Sequence, residues 1–250
     1  MVTQPSADSG LCSSEWLAAN LDQPGVKVLD ASYFLPSHQR DAAAEFRAAR
    51  IPGSQFFDID KVCDPNSPLP HMLPSPEVFA EQIMRLGVSS IDRVIVYDRL
   101  GLMSAARLWW SFRIFGHDRV WVLAGGFPNW QAEARPISTA APAAASTPSS
   151  RFVARFRPEL VWSSAQIAAN IAAPKVQIFD ARSRGRFNGT EAEPRPGLPS
   201  GHIPGSRNLP FTEILSPQKT LLPKDELRNI FAANGYRPEQ PTVVSCGSGV

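Results

Sequence analysis

Short apolar runs alternate along this chain with longer segments in which apolar residues recur every three or four positions. The short runs predict β-strands at 26–30, 94–97, 120–123, 176–180 and 242–245. The longer segments predict helices at 14–20, 77–86, 104–115, 163–172 and 224–234. Because strands and helices alternate, the pattern predicts an α/β fold in which a mainly parallel sheet is flanked by helices.

The pattern occurs twice. Residues 26–31, Val-Lys-Val-Leu-Asp-Ala, are echoed by Val-Gln-Ile-Phe-Asp-Ala at 176–181, and Ile-Pro-Gly-Ser at 51–54 returns unchanged at 203–206. The strand before Asp98 corresponds to the strand before Cys246 at nearly the same separation. Three matches in one order predict two copies of one domain, at 1–137 and 151–250. The Ala-, Pro-, Ser- and Thr-rich residues 138–150 are interpreted as a linker.

Composition narrows the class of protein. The 250 residues are 43% hydrophobic, and 25 basic against 23 acidic side chains give a net charge of +2. This balance favours neither nucleic acid nor a membrane surface as a partner. The three cysteines, Cys12, Cys63 and Cys246, lack metal-ligand spacing, so we expect no metal site and no disulfide framework. The sequence also gives no hint of a cofactor, so none is expected. Without a leader or membrane-spanning pattern, the expected location is the cytoplasm.

Cys246 is the candidate nucleophile. It follows a β-branched strand and precedes Gly247, Ser248 and Gly249, a sequence that permits a tight loop of backbone N–H groups around the sulfur. Such a nest of N–H groups favours the thiolate over the thiol and makes the sulfur reactive. A buried cysteine that only packs at the strand end is the alternative, but packing alone does not need glycines at this spacing.

These repeated elements, with Cys-Gly-Ser-Gly-Val at 246–250 in the second copy only, resemble the two-domain rhodanese family, and most closely its 3-mercaptopyruvate sulfurtransferase branch. The resemblance rests as well on four further segments: Gly201–Gly205, Arg186–Gly189, Glu193–Arg195 and Pro70–Pro74. It implies tandem rhodanese-like domains, the first catalytically silent because Asp98 stands at the cysteine position. It also implies sulfane sulfur transfer from 3-mercaptopyruvate, through a persulfide, to cyanide or to a thiol such as thioredoxin or a low-molecular-weight thiol.

The resemblance also assigns roles to single residues. Arg186 and Arg195 match the family's substrate-binding arginines, whose planar guanidinium groups suit a carboxylate. Ser248 would be a polar partner of the reacting sulfur, with Gly247, Gly249 and Val250 completing the substrate-binding loop. His71 and Asp60, from the first copy, would assist Ser248 in proton handling at an interface of the two copies. Structural alternatives remain open: solvated surface arginines, and a rigid loop histidine between prolines.

Other functions share parts of this pattern. A cysteine-loop phosphatase needs a longer loop that ends in arginine; the visible loop contains none, and the sequence stops too soon after Cys246 to exclude one. A catalytically silent sulfur-carrier or docking module would not need the cysteine. Thiosulfate as the donor is the nearest alternative, although that branch typically carries basic residues in the loop.

The two copies differ after their nucleophile positions. The first copy continues from Asp98 to about Pro136, whereas only Gly247–Val250 follow Cys246. The sequence therefore predicts a second domain truncated at Val250, which would lack a helix and a strand. We expect such a chain to be a piece of a longer protein, weakly stable in its second half and almost inactive.

Overall fold

The structure, a computed structural model, describes residues 10–194 and 197–247. Its strands are β1 (Leu11–Cys12), β2 (Val26–Asp30), β3 (Gln55–Phe56), β4 (Arg93–Tyr97), β5 (Val120–Leu123), β6 (Gln177–Asp180), β7 (Arg207–Asn208) and β8 (Thr242–Ser245). Its helices are α1 (Ser14–Asn20), α2 (Ala42–Ala48), α3 (Pro76–Arg85), α4 (Ala105–Ile114), α5 (Gly126–Ala132), α6 (Ser164–Ala172), α7 (Arg184–Asn188) and α8 (Lys224–Ala233). Within the described residues, no helix is long and apolar enough to cross a membrane.

The chain forms two compact units. The first extends to Arg157 and includes Gln218–Thr220, and the second holds Pro158–Pro217 and the described residues from Leu221 onward. The first unit contains a sheet in the order β1-β5-β4-β2-β3, and the second contains β7-β6-β8. Every strand pair is parallel. The predicted α/β fold with parallel sheets flanked by helices is therefore confirmed.

The parallel register aligns the ends of the central strands. Asp30 of β2 pairs with Tyr97 of β4, and Asp180 of β6 pairs with Ser245 of β8. Asp98 and Cys246 each follow the last of these strand residues. Each therefore emerges at the carboxyl edge of its own sheet, where open α/β sheets bind ligands.

Helix α3 shows why the first unit is well packed. Ser75 caps its N-terminus by accepting a hydrogen bond from Val78 N, with an O···N distance of 3.3 Å. Phe79 and Ile83, one turn apart, form its buried face. The Phe79 ring stacks on Phe115 with centroids 4.4 Å apart. An aromatic core thus closes one face of the sheet.

The predicted linker, residues 138–150, lies along the first unit. Ser138 pairs with Arg50 in an antiparallel bridge, and the Gln55 side chain donates to the carbonyl of Ala143 over 3.2 Å. Beyond it, the Phe152 ring is buried against Phe79. Hydrogen bonds rather than apolar periodicity hold this segment, which is why its hydrophobic pattern gave no sign of the contact.

Candidate active site

The Asp98 loop of the first unit is a nest of backbone donors around one anion. The carboxylate of Asp98 accepts N–H groups from Leu100, Gly101, Met103 and Ala105, at N···O distances of 2.9, 2.6, 2.8 and 2.8 Å. Asp98 as a residue is 1% exposed. Four donors that converge on one buried group make a loop that stabilises negative charge. The loop after β4 is thus filled by the carboxylate of its own chain.

Cys246 lies at the corresponding position of the second unit. Its side chain is exposed and forms no disulfide. Together with Asp180, Gly201 and His202, it lines a cavity of about 300 Å³. An exposed cysteine that lines a cavity can be approached by a small molecule, as a nucleophile requires.

Arg186 meets a carboxylate of its own chain. It lies on α7, which Ser183 caps, and its Nε and Nη2 donate to Oε1 and Oε2 of Glu193 over 3.1 and 2.6 Å. This is a bidentate pair, and the Glu193 side chain is only 3% exposed. Among the described residues, the Arg186 guanidinium donates only to Glu193, which leaves Nη1 available to a ligand.

Arg182 connects this pair to the sheet. Its Nη1 donates to Glu193 Oε1 over 2.7 Å, and its Nε donates to Asp180 Oδ1 over 3.0 Å. Hydrogen bonds from Arg186 and then from Arg182 hold the pKa of Glu193 below its ordinary value. Glu193 therefore stays charged at neutral pH, and two cations balance two carboxylates. The network fixes the direction of Arg186 relative to the end of β6.

Gly247 brings this network against the cysteine loop. A Cβ atom at Gly247 would collide with Nη2 of Arg186 and would lie 3.1 Å from Oε2 of Glu193. Only glycine therefore permits the guanidinium to approach the backbone beside Cys246 this closely. Here the need for glycine arises from close packing with an arginine.

His71 and Asp60 form a hydrogen-bonded pair within the first unit. Nε2 of His71 lies 2.8 Å from Oδ1 of Asp60, and the His71 side chain is 1% exposed while that of Asp60 is 66% exposed. Tyr33 packs edge-on against the imidazole with ring centroids 4.9 Å apart. The carboxylate can orient the imidazole, as it does in acid–base pairs.

The other thiols lie in environments that disfavour the thiolate. Burial raises the pKa of Cys12 to about 12. Burial, reinforced by the nearby carboxylates of Asp60 and Asp64, also raises the pKa of Cys63. Of the three cysteines, all within the described residues, only Cys246 is exposed. Within the described residues, no group of His, Cys, Asp and Glu could hold a metal ion.

Arg195, Ser248, Gly249 and Val250 lie outside the described residues, so the structure gives no account of these predicted site residues. Of the predicted set, it brings together Cys246, Gly247 and Arg186 in one unit and His71 with Asp60 in the other.

Sequence reasoning missed the roles of Arg182 and Glu193. One signal was present in the repeat, because Asp-Ala is followed by Ser32 in the first copy but by Arg182 in the second. Among the described residues, the Ser32 side chain bonds only Asp30, with its Oγ 2.5 Å from Oδ1, whereas Arg182 joins two carboxylates. A difference between the copies thus marked part of the candidate site.

Comparison with known proteins agrees with this architecture. The family model of the rhodanese-like domain matches residues 13–133 and 163–250, one match in each copy. The 3-mercaptopyruvate sulfurtransferase of Rattus norvegicus is 42% identical over 254 residues, covering 98% of this chain and 84% of that protein. The Escherichia coli K12 protein of the same name is 42% identical over 238 residues, covering 95% of this chain and 83% of that protein.

A third relative, from Arabidopsis thaliana, is named thiosulfate/3-mercaptopyruvate sulfurtransferase 1, mitochondrial; it is 41% identical over 263 residues, covering 98% of this chain and 69% of that protein. Among solved structures, the 3-mercaptopyruvate sulfotransferase SseA of Escherichia coli superposes with a TM-score of 0.85 at 39% identity, over 96% of this chain and 89% of that one. This chain, with its two rhodanese-like domains, belongs to the rhodanese family that includes the 3-mercaptopyruvate sulfurtransferases.

Proposed function

We propose that this protein is a sulfurtransferase that takes a sulfane sulfur from 3-mercaptopyruvate and carries it as a persulfide on Cys246. The observation that supports this most directly is the contact of Arg186 with the cysteine loop at Gly247. A carboxylate-binding guanidinium beside an exposed thiol suits a small substrate that carries both sulfur and a carboxylate. The substrate itself is inferred from the names of the relatives described above.

The proposed reaction has two steps. The Cys246 thiolate attacks the sulfur of 3-mercaptopyruvate, an S–S bond forms, and the C–S bond breaks. Its electron pair leaves as the enolate of pyruvate, which takes up a proton. A thiol acceptor then attacks the outer sulfur and restores the Cys246 thiolate. Backbone donors of the loop would stabilise the thiolate and the developing enolate, as the donors around Asp98 stabilise a carboxylate.

Arg186 would bind the substrate carboxylate through Nη1, while Glu193 holds the rest of its guanidinium. We also propose Arg195 as a second carboxylate ligand and Ser248 as a partner of the reacting sulfur. His71 and Asp60 would assist proton transfer. Their hydrogen bond of 2.8 Å supports an acid–base role and is equally compatible with a loop contact.

Thioredoxin or a low-molecular-weight thiol is the proposed acceptor, and the cytoplasm the proposed location. None of Cys12, Cys63 and Cys246 forms a disulfide, which fits a reducing compartment. The Arabidopsis relative is named mitochondrial, so a second reducing compartment is compatible with the same chemistry.

Steady-state turnover with two donors tests the function. We expect kcat/KM to be higher for 3-mercaptopyruvate than for thiosulfate, and Arg186→Lys to lower the first about tenfold or more because an ammonium cannot replace the planar guanidinium. Arg184→Lys, at an exposed arginine of the same helix, is the control. Preference for thiosulfate would favour the thiosulfate sulfurtransferase.

A further inference from the structure

Arg50 is a buried cation without a complete set of partners. Arg50 is only 4% exposed. Its Nη1 atom has no hydrogen-bond partner among residues 10–194 and 197–247. Its backbone is fixed, because N and O of Arg50 both bond Ser138, at 3.1 and 2.9 Å. The Phe46 ring lies 5.4 Å from Cζ and offers only a weak cation–π contact. An unsatisfied buried guanidinium costs free energy that an anion would recover.

Arg50 is one of the residues that line a cavity of about 430 Å³. Arg50 and Lys27 are the basic residues of its lining, and Ser54, Ser138 and Ser146 are its hydroxyl-bearing residues. None of its lining residues, all of which the structure describes, is acidic. Two cations without a carboxylate in a concave site produce a positive potential that attracts an anion.

The rest of the wall is apolar. Val26, Val28, Leu21 and Leu86 contribute from the folded unit, and the segment 138–146 contributes a row of alanines. Such a lining suits a ligand with a short hydrocarbon body, since burying apolar surface adds to binding.

Beyond the backbone bridge between Ser138 and Arg50, the segment 139–146 is held by side-chain hydrogen bonds from Lys27 and Gln55. Lys27 Nζ donates to Ser146 Oγ over 2.9 Å, and Gln55 donates to Ala143 O over 3.2 Å. Both bonds lie at the exposed rim, so opening there costs little and can admit a ligand. A bound anion would in turn pair with Lys27 and fix the segment.

We propose that this cavity binds a small organic carboxylate, with Arg50 as its buried partner and Lys27 as its partner at the rim. The site belongs entirely to the first unit and is independent of the proposed sulfur transfer.

Butyrate is a suitable probe, and butyramide is its uncharged counterpart. We expect butyrate, but not butyramide, to raise the melting temperature of the protein in a saturable way, because it binds the folded state. Hydrogen exchange should slow at 138–146 and at 51–55, which separates this cavity from carboxylate binding at Arg186. No saturable effect, equal effects of both probes, or protection confined to the second unit would overturn the proposal.

Variants localise the effect further. Arg50→Leu should weaken butyrate binding about tenfold or more, since it removes a charge-assisted contact, and should not lower the melting temperature without ligand. Lys27→Met should weaken binding less, and it keeps the test informative if Arg50→Leu folds poorly. Arg47→Leu, at an exposed arginine of α2, is the matched control. Unchanged binding in the folded Arg50→Leu or Lys27→Met variant would contradict the assignment.

Discussion

Arg186 and Glu193 form a bidentate ion pair, with Nη2 of the guanidinium 2.6 Å from Oε2 of the carboxylate. The arginine expected to bind substrate is therefore held by an internal carboxylate. Preorganisation of this kind reduces the entropy lost when the substrate binds. It also makes Glu193 a positioning residue, which acts through Arg186 and not on the substrate.

Glu193→Gln tests this positioning role. The neutral amide cannot accept two charge-assisted bonds from Arg186 and a third from Arg182, so the guanidinium loses its fixed direction. We expect KM for 3-mercaptopyruvate to rise about tenfold, with a smaller change in kcat. Steady-state kinetics with both donors measure the changes in KM and in kcat separately.

Glu191→Gln is the matched control, because Glu191 is exposed and accepts a hydrogen bond only from Ser183 Oγ among the described residues. A fall in kcat with KM unchanged would show that Glu193 affects the chemical step instead. Equal losses in both variants would indicate a general loss of structure.

Gly247→Ala tests the close approach of Arg186 to the cysteine loop. The added methyl group would collide with Nη2 of Arg186 and force the guanidinium or the loop to move. We expect kcat/KM to fall about tenfold to a hundredfold, since small displacements of reacting groups are costly. In the Arg186→Ala background the collision is absent, so the substitution should cost much less there. Additive losses in this double-mutant cycle would contradict the contact.

Asp98→Asn tests the nest of the first unit. One carboxylate oxygen becomes an NH₂ group that faces two backbone donors, which leaves those donors unsatisfied in a buried site. We expect the free energy of unfolding to fall by about 2–4 kcal/mol. Urea denaturation followed by tryptophan fluorescence measures it, because Trp109 and Trp110 lie on α4 directly after the loop. Asp22→Asn, at an exposed carboxylate, should leave the free energy of unfolding unchanged. If Asp98→Asn also left it unchanged, the nest would be refuted.

Alkylation tests the reactivity of the thiols. Cys12, with a pKa raised to about 12 by burial, holds a negligible thiolate fraction near neutral pH, and the pKa of Cys63 is raised as well. Iodoacetamide should therefore modify Cys246 first, Cys63 more slowly and Cys12 only after unfolding. Peptide mass spectrometry over time gives the order. Early modification of Cys12 in the folded protein would be inconsistent with its burial.

The sequence predicted the long elements well and the short ones poorly. Helix α3 and strand β4 have clear apolar patterns. Both bounds of α3 and the first residue of β4 differ from the prediction by one residue. Helix α2 was missed because Phe46 is its one buried residue, and α7 because five residues cannot display a period. Strand β3, of two residues, is fixed by pairing with β2 and not by its own pattern.

The candidate site, too, was predicted only in part from the sequence. Equivalence of Asp98 and Cys246 followed from the repeat, since repeated strands end at repeated positions. The pairing of Arg186 with Glu193 did not follow, because the residues 189–192 between them have no regular period and the fold decides which arginine meets which carboxylate. The unpaired Nη1 of Arg50 is equally invisible in sequence, because it depends on what surrounds a buried side chain.

Mapping the persulfide tests the central claim most directly. The protein is incubated with 3-mercaptopyruvate without an acceptor thiol, digested, and examined by mass spectrometry for a cysteine that has gained one sulfur atom. The account predicts this gain on the Cys246 peptide, its loss when a thiol acceptor is added, and its absence in Cys246→Ser. A persulfide on Cys63 or Cys12, or sulfur transfer that persists in Cys246→Ser, would contradict it.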